Sequence, residues 1–573
     1  MTPPALERLF GGFYQKLLRM FPEFATRQGD PRYDHLLSDR SPRGHARYEA
    51  LVRETLGELE QIDRRDISPR DLISYEVLRR GLESRVEGFP FRGHLLGLDH
   101  LQGVQLLLPK LLSEMPLETA AGYRRALDRL SGATAHLDGF LETLREGVRE
   151  GMVQARPVVE KVVAQLDLQL EAPLDTNPYF RPFRPAPARQ ALAETAKLEG
   201  EARRLVEKEV VPALGRFRDY LSQEYLPRAR AEAGVWSLKR GEEFYAWSAR
   251  RSTTTRLEPA EIHSLGMQEV ARIRSQMEAL RKSLGFQGGL QDFFGYLRRE
   301  RRFYHETPEE ILEEYRGIVR RAEAGLARFF RRLPRARLEV VAVPDYAAAS
   351  NTTAYYQRPA PDGSRPGYFY ANTHDPRSRP RFEMEALTLH EAVPGHHLQL
   401  ALQMEIEGLP PLRTRWLAFS AFIEGWALYA ERLGKEMGFY TDPYSEFGRL
   451  IYDMWRACRL VVDTGIHALR WDRARAAAFL TENTALSRLN IESEVDRYLV
   501  WPGQALTYKI GELKIRELRE RAEKELGGAF DLPAFHDCLL GEGSLPLDLL
   551  EARVGAWIGE LKKSGRAAEG TGR

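Results

Sequence analysis

Residues 307–319, TPEEILEEYRGIV, carry the pattern that decides the fold class. Thr307 is a suitable helix cap, Pro308 fits the first helical turn, and Glu310 stands where it closes a capping box. Behind this start, the following apolar side chains recur at helical spacing: Ile311, Leu312, Tyr315, Ile318 and Val319. Such a stripe is typical of a helix with one buried face.

Most of the chain repeats this helical periodicity, and one region departs from it. Helical stretches run over residues 123–149, 191–220 and 257–284. Short β-branched and aromatic runs occupy residues 338–343, 352–357 and 367–372, and the turn signal Asp362-Gly363 separates the last two. We therefore predict a mainly α fold with a small antiparallel β ribbon.

This ribbon has two interpretations. It either stabilises a helical body or offers a sheet edge that hydrogen-bonds an extended peptide. In the second case Tyr368 and Asn372, in its last strand, are candidate substrate-binding residues.

The overall composition excludes several classes of protein. The 84 basic and 82 acidic residues give a net charge of +2, so no global field favours nucleic acid or anionic lipid. Cys458 and Cys538 are the two cysteines, which excludes a disulfide framework and a cysteine-based metal site. The N-terminus has no secretion signal pattern, and no run of ~18 apolar residues occurs. We expect a cytoplasmic protein with neither a nucleic-acid nor a membrane partner.

Residues 390–397, HEAVPGHH, resemble a known zinc-binding pattern with one displacement. Zinc hydrolases use three protein ligands, an open position for water and a carboxylate base. A common solution is His-Glu-x-x-His on a helix, in which both histidines share one face. Here Pro394 stands where the second histidine would be, and His396 and His397 follow.

The displacement itself is informative, because the flanking residues favour helix on both sides. Proline inside a helix costs ~3 kcal/mol or more, and the neighbouring Gly395 adds about 1 kcal/mol. A purely structural helix has no evident reason to carry both residues. A bend that returns His396 or His397 towards His390 would give such a reason. The alternative is a group of histidines that caps a helix end or packs against a neighbour.

A third ligand candidate lies in the apolar stretch 422–431. Glu424 stands there, 34 residues after His390, and Glu431 follows on the same helical face. Burying a carboxylate is costly unless it is paired or binds a metal. A buried ion pair with an arginine is the alternative, and it suits Glu431 better than Glu424.

Further polar and aromatic residues accompany these motifs towards the C-terminus. A tyrosine hydroxyl, from Tyr498 or Tyr508, can donate to the oxyanion that forms during hydrolysis. Arg497 can bind the terminal carboxylate of a peptide. Asp463 and His467, at positions i and i+4, either support the site or form a core pair. Each of these residues also has a purely structural interpretation.

Together these motifs resemble the bacterial family known as domain of unknown function 885, which is related to the gluzincin peptidases. The matching segments are residues 362–367, 390–397, 422–431, 459–467 and 498–511, with weaker similarity at 21–26 and 241–245. The resemblance implies a large two-lobed helical fold with a deep cleft, like gluzincin oligopeptidases and carboxypeptidases. It implies one zinc ion per chain, held by His390 and Glu424, with Glu391 as general base. His396 is the implied second histidine ligand, and His397 is its rival.

We therefore expect an N-terminal helical lobe over residues 1–335 and a catalytic lobe with the ribbon and zinc site over 336–573. That boundary is soft, and one continuous domain is the alternative. The expected function is a zinc metallopeptidase acting on short peptides, and self-association as a homodimer is left open. One rival is a zinc amidase or hydrolase of a non-peptide metabolite. Another is a non-catalytic helical binding protein that contains a metal.

Overall fold

The computed structural model describes residues 4–184, 194–344, 348, 353–360, 363 and 365–570. Several positions named above lie outside these residues: Ala191, Thr352, Asp362 and Ser364. The chain divides into two compact units, Met1–Phe244 and Tyr245–Arg573. The sequence predicts a soft boundary after residue 335, so the second unit contains three helices that this prediction assigns to the first lobe.

The first unit is built from helices. They are α1 (Pro4–Met20), α2 (Pro22–Arg27), α3 (Pro42–Glu60), α4 (Pro69–Gly88), α5 (Val104–Glu114), α6 (Ala120–Ser131), α7 (Ala133–Glu150), α8 (Arg156–Glu171), α9 (Thr195–Leu205) and α10 (Val211–Tyr220). Their apolar faces enclose a core in which Tyr123, Phe180 and Phe217 are fully buried. Helix α11 (Gly241–Thr253) spans the division between the units.

The second unit holds the remaining helices and three strands. The helices are α12 (Pro259–Ser283), α13 (Leu290–Arg299), α14 (Pro308–Gly325), α15 (Met384–Glu391), α16 (His396–Glu405), α17 (Ser420–Leu433), α18 (Pro443–His467), α19 (Arg473–Asn483), α20 (Arg488–Val500), α21 (Thr507–Leu526), α22 (Leu532–Leu540) and α23 (Leu547–Gly570). The strands are β1 (Leu338–Ala342), β2 (Ala354–Gln357) and β3 (Gly367–Ala371).

The predicted mainly α class is confirmed. Helix α14 begins as its sequence predicts: the Glu310 amide donates to Thr307 Oγ1 at 3.3 Å, and the Glu310 side chain accepts from the Thr307 amide. Four of the five residues of its predicted apolar stripe are buried, with Ile311 fully enclosed, and Leu312 is half-buried. In the described part of the chain, no helix combines the length and apolar character that crossing a membrane requires.

The sheet confirms the antiparallel pairing of its last two strands and corrects the prediction that the whole ribbon is antiparallel. Its strand order is β1-β3-β2, in which β2 is antiparallel to β3 and β1 is parallel to it. Two short neighbouring strands favour a hairpin in sequence, but the partner on the far side of β3 is set by long-range packing. Strand β3 is therefore central, and Tyr368 is not on a sheet edge that could bind an extended peptide.

A buried ion cluster joins helices α12, α18 and α21. The Nζ atom of Lys509 lies 2.6 Å from Asp453, 3.0 Å from Glu512 and 3.2 Å from Glu269, and its side chain is 1% exposed. Burial alone would lower the pKa of Lys509, but these three carboxylates raise it, so the ammonium stays charged. The cluster fixes the start of α21 against two neighbouring helices.

Lys509→Met is expected to lower the free energy of unfolding by about 3–5 kcal/mol, because it leaves three buried carboxylates without their shared cation. Denaturant unfolding measures the change. Lys562→Met is the control, since Lys562 forms an exposed ion pair with Glu525 that is worth at most ~1 kcal/mol. Equal effects of the two substitutions would contradict the assignment of the cluster to fold stability.

Candidate metal site

The bend between α15 and α16 is present where the sequence predicts it. Residues 392–395 interrupt the helix, and the Val393–Pro394 peptide is cis. The indole Nε1 of Trp426 donates to the Pro394 carbonyl at 2.8 Å and so ties the bend to α17. Gly395 is required by close approach, because a Cβ atom there would lie 2.0 Å from the His390 carbonyl oxygen.

This bend brings three potential metal ligands together: His390, His396 and Glu424, which we call the metal group. The Nε2 atoms of His390 and His396 lie 3.6 and 3.5 Å from the same carboxylate oxygen of Glu424. One ligand atom from each residue falls within a group less than 4.8 Å across, and among the described residues this is the group found to fit a metal ion. Two imidazoles and one carboxylate are the donor set of many catalytic zinc sites.

The electrostatics of the group suit a cation. Burial alone would raise the pKa of Glu424, but hydrogen bonds from His390 and His396 outweigh it and hold that pKa far below its usual value. The carboxylate of Glu424 is therefore negatively charged although its side chain is largely buried. Burial lowers the pKa of His390, but hydrogen bonds with Glu424 and Glu431 raise it to about 9.

Glu431 supports His390 from the side opposite Glu424. Its Oε1 atom lies 2.7 Å from His390 Nδ1 and 3.3 Å from the guanidinium of Arg456. An arginine partner was expected for this residue, but the contact with His390 was not. A carboxylate on the second nitrogen fixes a ligand histidine in orientation and raises its basicity. The spacing of seven residues from Glu424 to Glu431 was the available signal.

His397, the rival second ligand, points away from the group. Its Nδ1 lies 3.0 Å from the Tyr356 hydroxyl, and its Nε2 lies 3.1 Å from the Ala336 carbonyl oxygen. Both ring nitrogens are thus used in binding the sheet region. The structure favours His396 because α16 restarts at this residue, which turns its ring towards His390 with a centroid separation of 4.8 Å.

Glu391 ends α15 directly beside His390. Its side chain is half-buried, and no side chain in the described segments donates a hydrogen bond to it. Its charge helps to raise the pKa of His390, which places the two side chains close together. A carboxylate next to a metal ligand and free of other partners is suited to accept a proton.

A close helix crossing brings Tyr508 to the group. Helices α17 and α21 meet at Gly425 and Gly511, where a Cβ atom on Gly511 would lie 1.8 Å from the Ala421 carbonyl oxygen. Glu424 precedes one of these glycines, and Tyr508 lies one turn before the other. Burial first, and then the charge of Glu424, raise the pKa of Tyr508, so its hydroxyl keeps its proton.

Tyr498 and Arg497 are engaged elsewhere. The buried Tyr498 hydroxyl donates to Glu494 at 2.8 Å. Arg497 donates to Glu494 through Nε at 3.2 Å and Nη2 at 3.0 Å, and through Nη1 to Gln504. Of the two tyrosine candidates, Tyr508 is therefore the one on a helix that crosses α17, which carries Glu424.

Asp463 and His467 hold the segment that leads to Tyr508. Asp463 accepts from the Tyr245 hydroxyl at 2.6 Å and from the Gly503 amide at 3.0 Å. His467 Nε2 lies 3.0 Å from the Tyr498 carbonyl oxygen. Both residues thus position this segment, and His467 is a buried histidine of the core.

Asn372 is buried within its own segment. Its amide nitrogen donates to the Ala348 carbonyl at 2.8 Å, and its side-chain oxygen accepts from the His374 amide. Tyr368, on the central strand, packs against Tyr370. These contacts of Asn372 and Tyr368 thus lie within the sheet region.

Comparison with known proteins relates most of the chain to a bacterial family. A family model described as "Bacterial protein of unknown function (DUF885)" matches residues 22–554. The solved structure of a "putative lipoprotein" from Colwellia psychrerythraea is 28% identical, with a TM-score of 0.92 over 97% of this chain and 99% of that chain. A "putative lipoprotein of unknown function" from Shewanella oneidensis is 18% identical, with a TM-score of 0.75 over 96% and 99%, and shares the fold. No curated protein matches the chain.

Proposed function

This chain belongs to the DUF885 family of bacterial proteins, and from its site we propose that it is a zinc-dependent peptidase acting on short peptides. The observation that supports the proposal is the convergence of His390, His396 and Glu424 within 4.8 Å. Glu391 beside them gives this donor set a base, which a purely structural metal site does not need. The gluzincin-like fold and its deep cleft, which would restrict access to short peptides, belong to the same proposal.

The proposed chemistry assigns one task to each side chain. His390, His396 and Glu424 would hold a zinc ion, which would lower the pKa of a bound water and polarise the scissile carbonyl. Glu391 takes a proton from the attacking water and returns it to the leaving amine as the C–N bond breaks. Tyr508 donates a hydrogen bond to the carbonyl oxygen as negative charge develops on it. Glu431 holds His390 in position.

The function is tested with a library of short peptides, matched non-peptide amides and esters. Zinc-loaded protein is expected to hydrolyse peptides, and removal of zinc by a chelator is expected to abolish hydrolysis, with recovery on adding zinc back. If only the non-peptide amides or esters were hydrolysed, the protein would be a metabolite hydrolase and not a peptidase. Stoichiometric zinc without any hydrolysis would instead favour a binding protein.

Residence in the cytoplasm and self-association remain predictions.

Loss of a residue that supports a metal ligand lowers metal affinity by about 10–100-fold. His396→Ala is expected to lower zinc affinity by far more, because it removes a direct ligand. His397→Ala is the matched control. It is expected to retain one zinc per chain while lowering the free energy of unfolding by about 1–3 kcal/mol, since its two buried hydrogen bonds are lost. Metal analysis and denaturant unfolding measure both quantities. Loss of zinc in the His397 variant alone would reverse the ligand assignment.

A further inference from the structure

The guanidinium of Arg459, on α18, is buried with most of its hydrogen-bonding capacity unused. The residue is 5% exposed, and its Nη2 lies 3.1 Å from Glu494. In the part of the chain that the structure describes, its Nε and Nη1 atoms have no hydrogen-bond partner. Unpaired buried donors on a charged group are costly, so a native protein with such a group needs a partner for it.

The charge balance around Arg459 points to an anion. Glu494 pairs with both Arg459 and Arg497, so two guanidiniums share one carboxylate. Both arginines lower the pKa of Glu494 to about 2 against the effect of burial, so it contributes a single negative charge. One positive charge is left over in this cluster. Arg497 has committed all three of its nitrogens, and Arg459 has not.

Arg459 also contacts Tyr508, a residue of the helix that crosses the Glu424 helix. Its guanidinium carbon is 4.3 Å from the centre of the Tyr508 ring and 4.4 Å from that of Trp455. Tyr508 lies one turn before Gly511, at the crossing of α21 with α17, and α17 carries Glu424 next to Gly425. The buried indole Nε1 of Trp455 has no hydrogen-bond partner among the described residues either, which adds a neutral donor beside the guanidinium.

We infer that Arg459, rather than Arg497, binds the C-terminal carboxylate of the substrate, so that the enzyme cleaves peptides next to a free C-terminus. One extended residue spans ~3.5 Å. A carboxylate held at Arg459, 4.3 Å from the ring of Tyr508, therefore places a peptide bond one or two residues from the C-terminus beside Tyr508. This inference rests on the proposed peptidase function and names its substrate class.

The test compares N-acetylated di- and tripeptides that carry a free C-terminal carboxylate with the same peptides as C-terminal amides. For zinc-loaded protein, kcat/KM is expected to be about 100-fold higher for the acids, and Arg459→Gln is expected to bring this ratio close to one, mainly through KM. Arg497→Gln is the matched control, expected to affect acids and amides equally. The Arg459 variant is expected to fold, because Glu494 keeps Arg497 and Tyr498 as partners.

A second readout is independent of catalysis. Calorimetric titration of the same peptides into chelator-treated protein is expected to show at least about 10-fold tighter binding of acids than of amides, and Arg459→Gln is expected to remove that preference. Arg459→Lys, which keeps the charge but not the planar donor array, is expected to retain part of it. Acid preference in binding without hydrolysis would support the carboxylate site and reject the peptidase. An unchanged preference in Arg459→Gln, or its loss only in Arg497→Gln, would overturn the inference.

Discussion

Glu391→Gln is expected to lower kcat for peptide hydrolysis by about 10²–10⁴-fold, the range that a positioned general base contributes. Glutamine keeps the size and the hydrogen-bonding oxygen of the side chain but cannot accept a proton. Zinc content and KM are expected to change little, because Glu391 is not one of the three convergent ligand residues. Steady-state kinetics on a cleaved peptide, with metal analysis of the same preparation, measure all three quantities.

Glu385→Gln provides the control on the same helix. Glu385 pairs with Arg321 and accepts from the Tyr440 amide, so its substitution tests the general effect of removing a carboxylate from α15. Its kcat is expected to stay within about threefold of wild type, which is a barrier change below ~0.7 kcal/mol. If Glu391→Gln retained wild-type kcat with zinc bound, Glu391 would not be the base and the proposed chemistry would fail.

The parts of the fold and site that could be predicted are those that local sequence determines. The capping box at Thr307 and Glu310 depends on four adjacent residues. The bend at Pro394 and Gly395 depends on the cost of these two residues inside a helix. Glu424 stood out because a carboxylate in an apolar stretch needs a partner. None of these inferences needed knowledge of a distant segment.

The parts that could not be predicted depend on contacts between distant segments. The parallel pairing of β1 with β3 is one, and the support of His390 by Glu431 across 41 positions is another. The choice between His396 and His397 depends on the residue at which the helix begins again after the bend. The sequence does not determine whether that residue is His396 or His397. The sequence predicts that Arg497 binds the substrate carboxylate. Only the folded chain shows that Arg497 already donates hydrogen bonds to Glu494 and Gln504.

Tyr508→Phe is expected to lower kcat by about 10²–10³-fold, which is the effect of removing one donor to a developing oxyanion. Tyr508 lies one turn before the Gly425–Gly511 helix crossing, and the raised pKa of its hydroxyl keeps it protonated. Phenylalanine preserves the ring that packs against Arg459, so KM is expected to change little. Peptide kinetics, with a thermal unfolding control, measure the effect.

Tyr498→Phe is the matched comparison, because it removes the same atom from a tyrosine whose hydroxyl is already bound to Glu494. We expect a loss of about 1–2 kcal/mol in the free energy of unfolding and a small change in kcat, since Glu494 keeps two arginine partners. The reverse pattern, with kcat falling in the Tyr498 variant and not in the Tyr508 variant, would assign the oxyanion donor to Tyr498. It would also require the Tyr498 hydroxyl to release Glu494, four residues earlier on the same helix, when substrate binds.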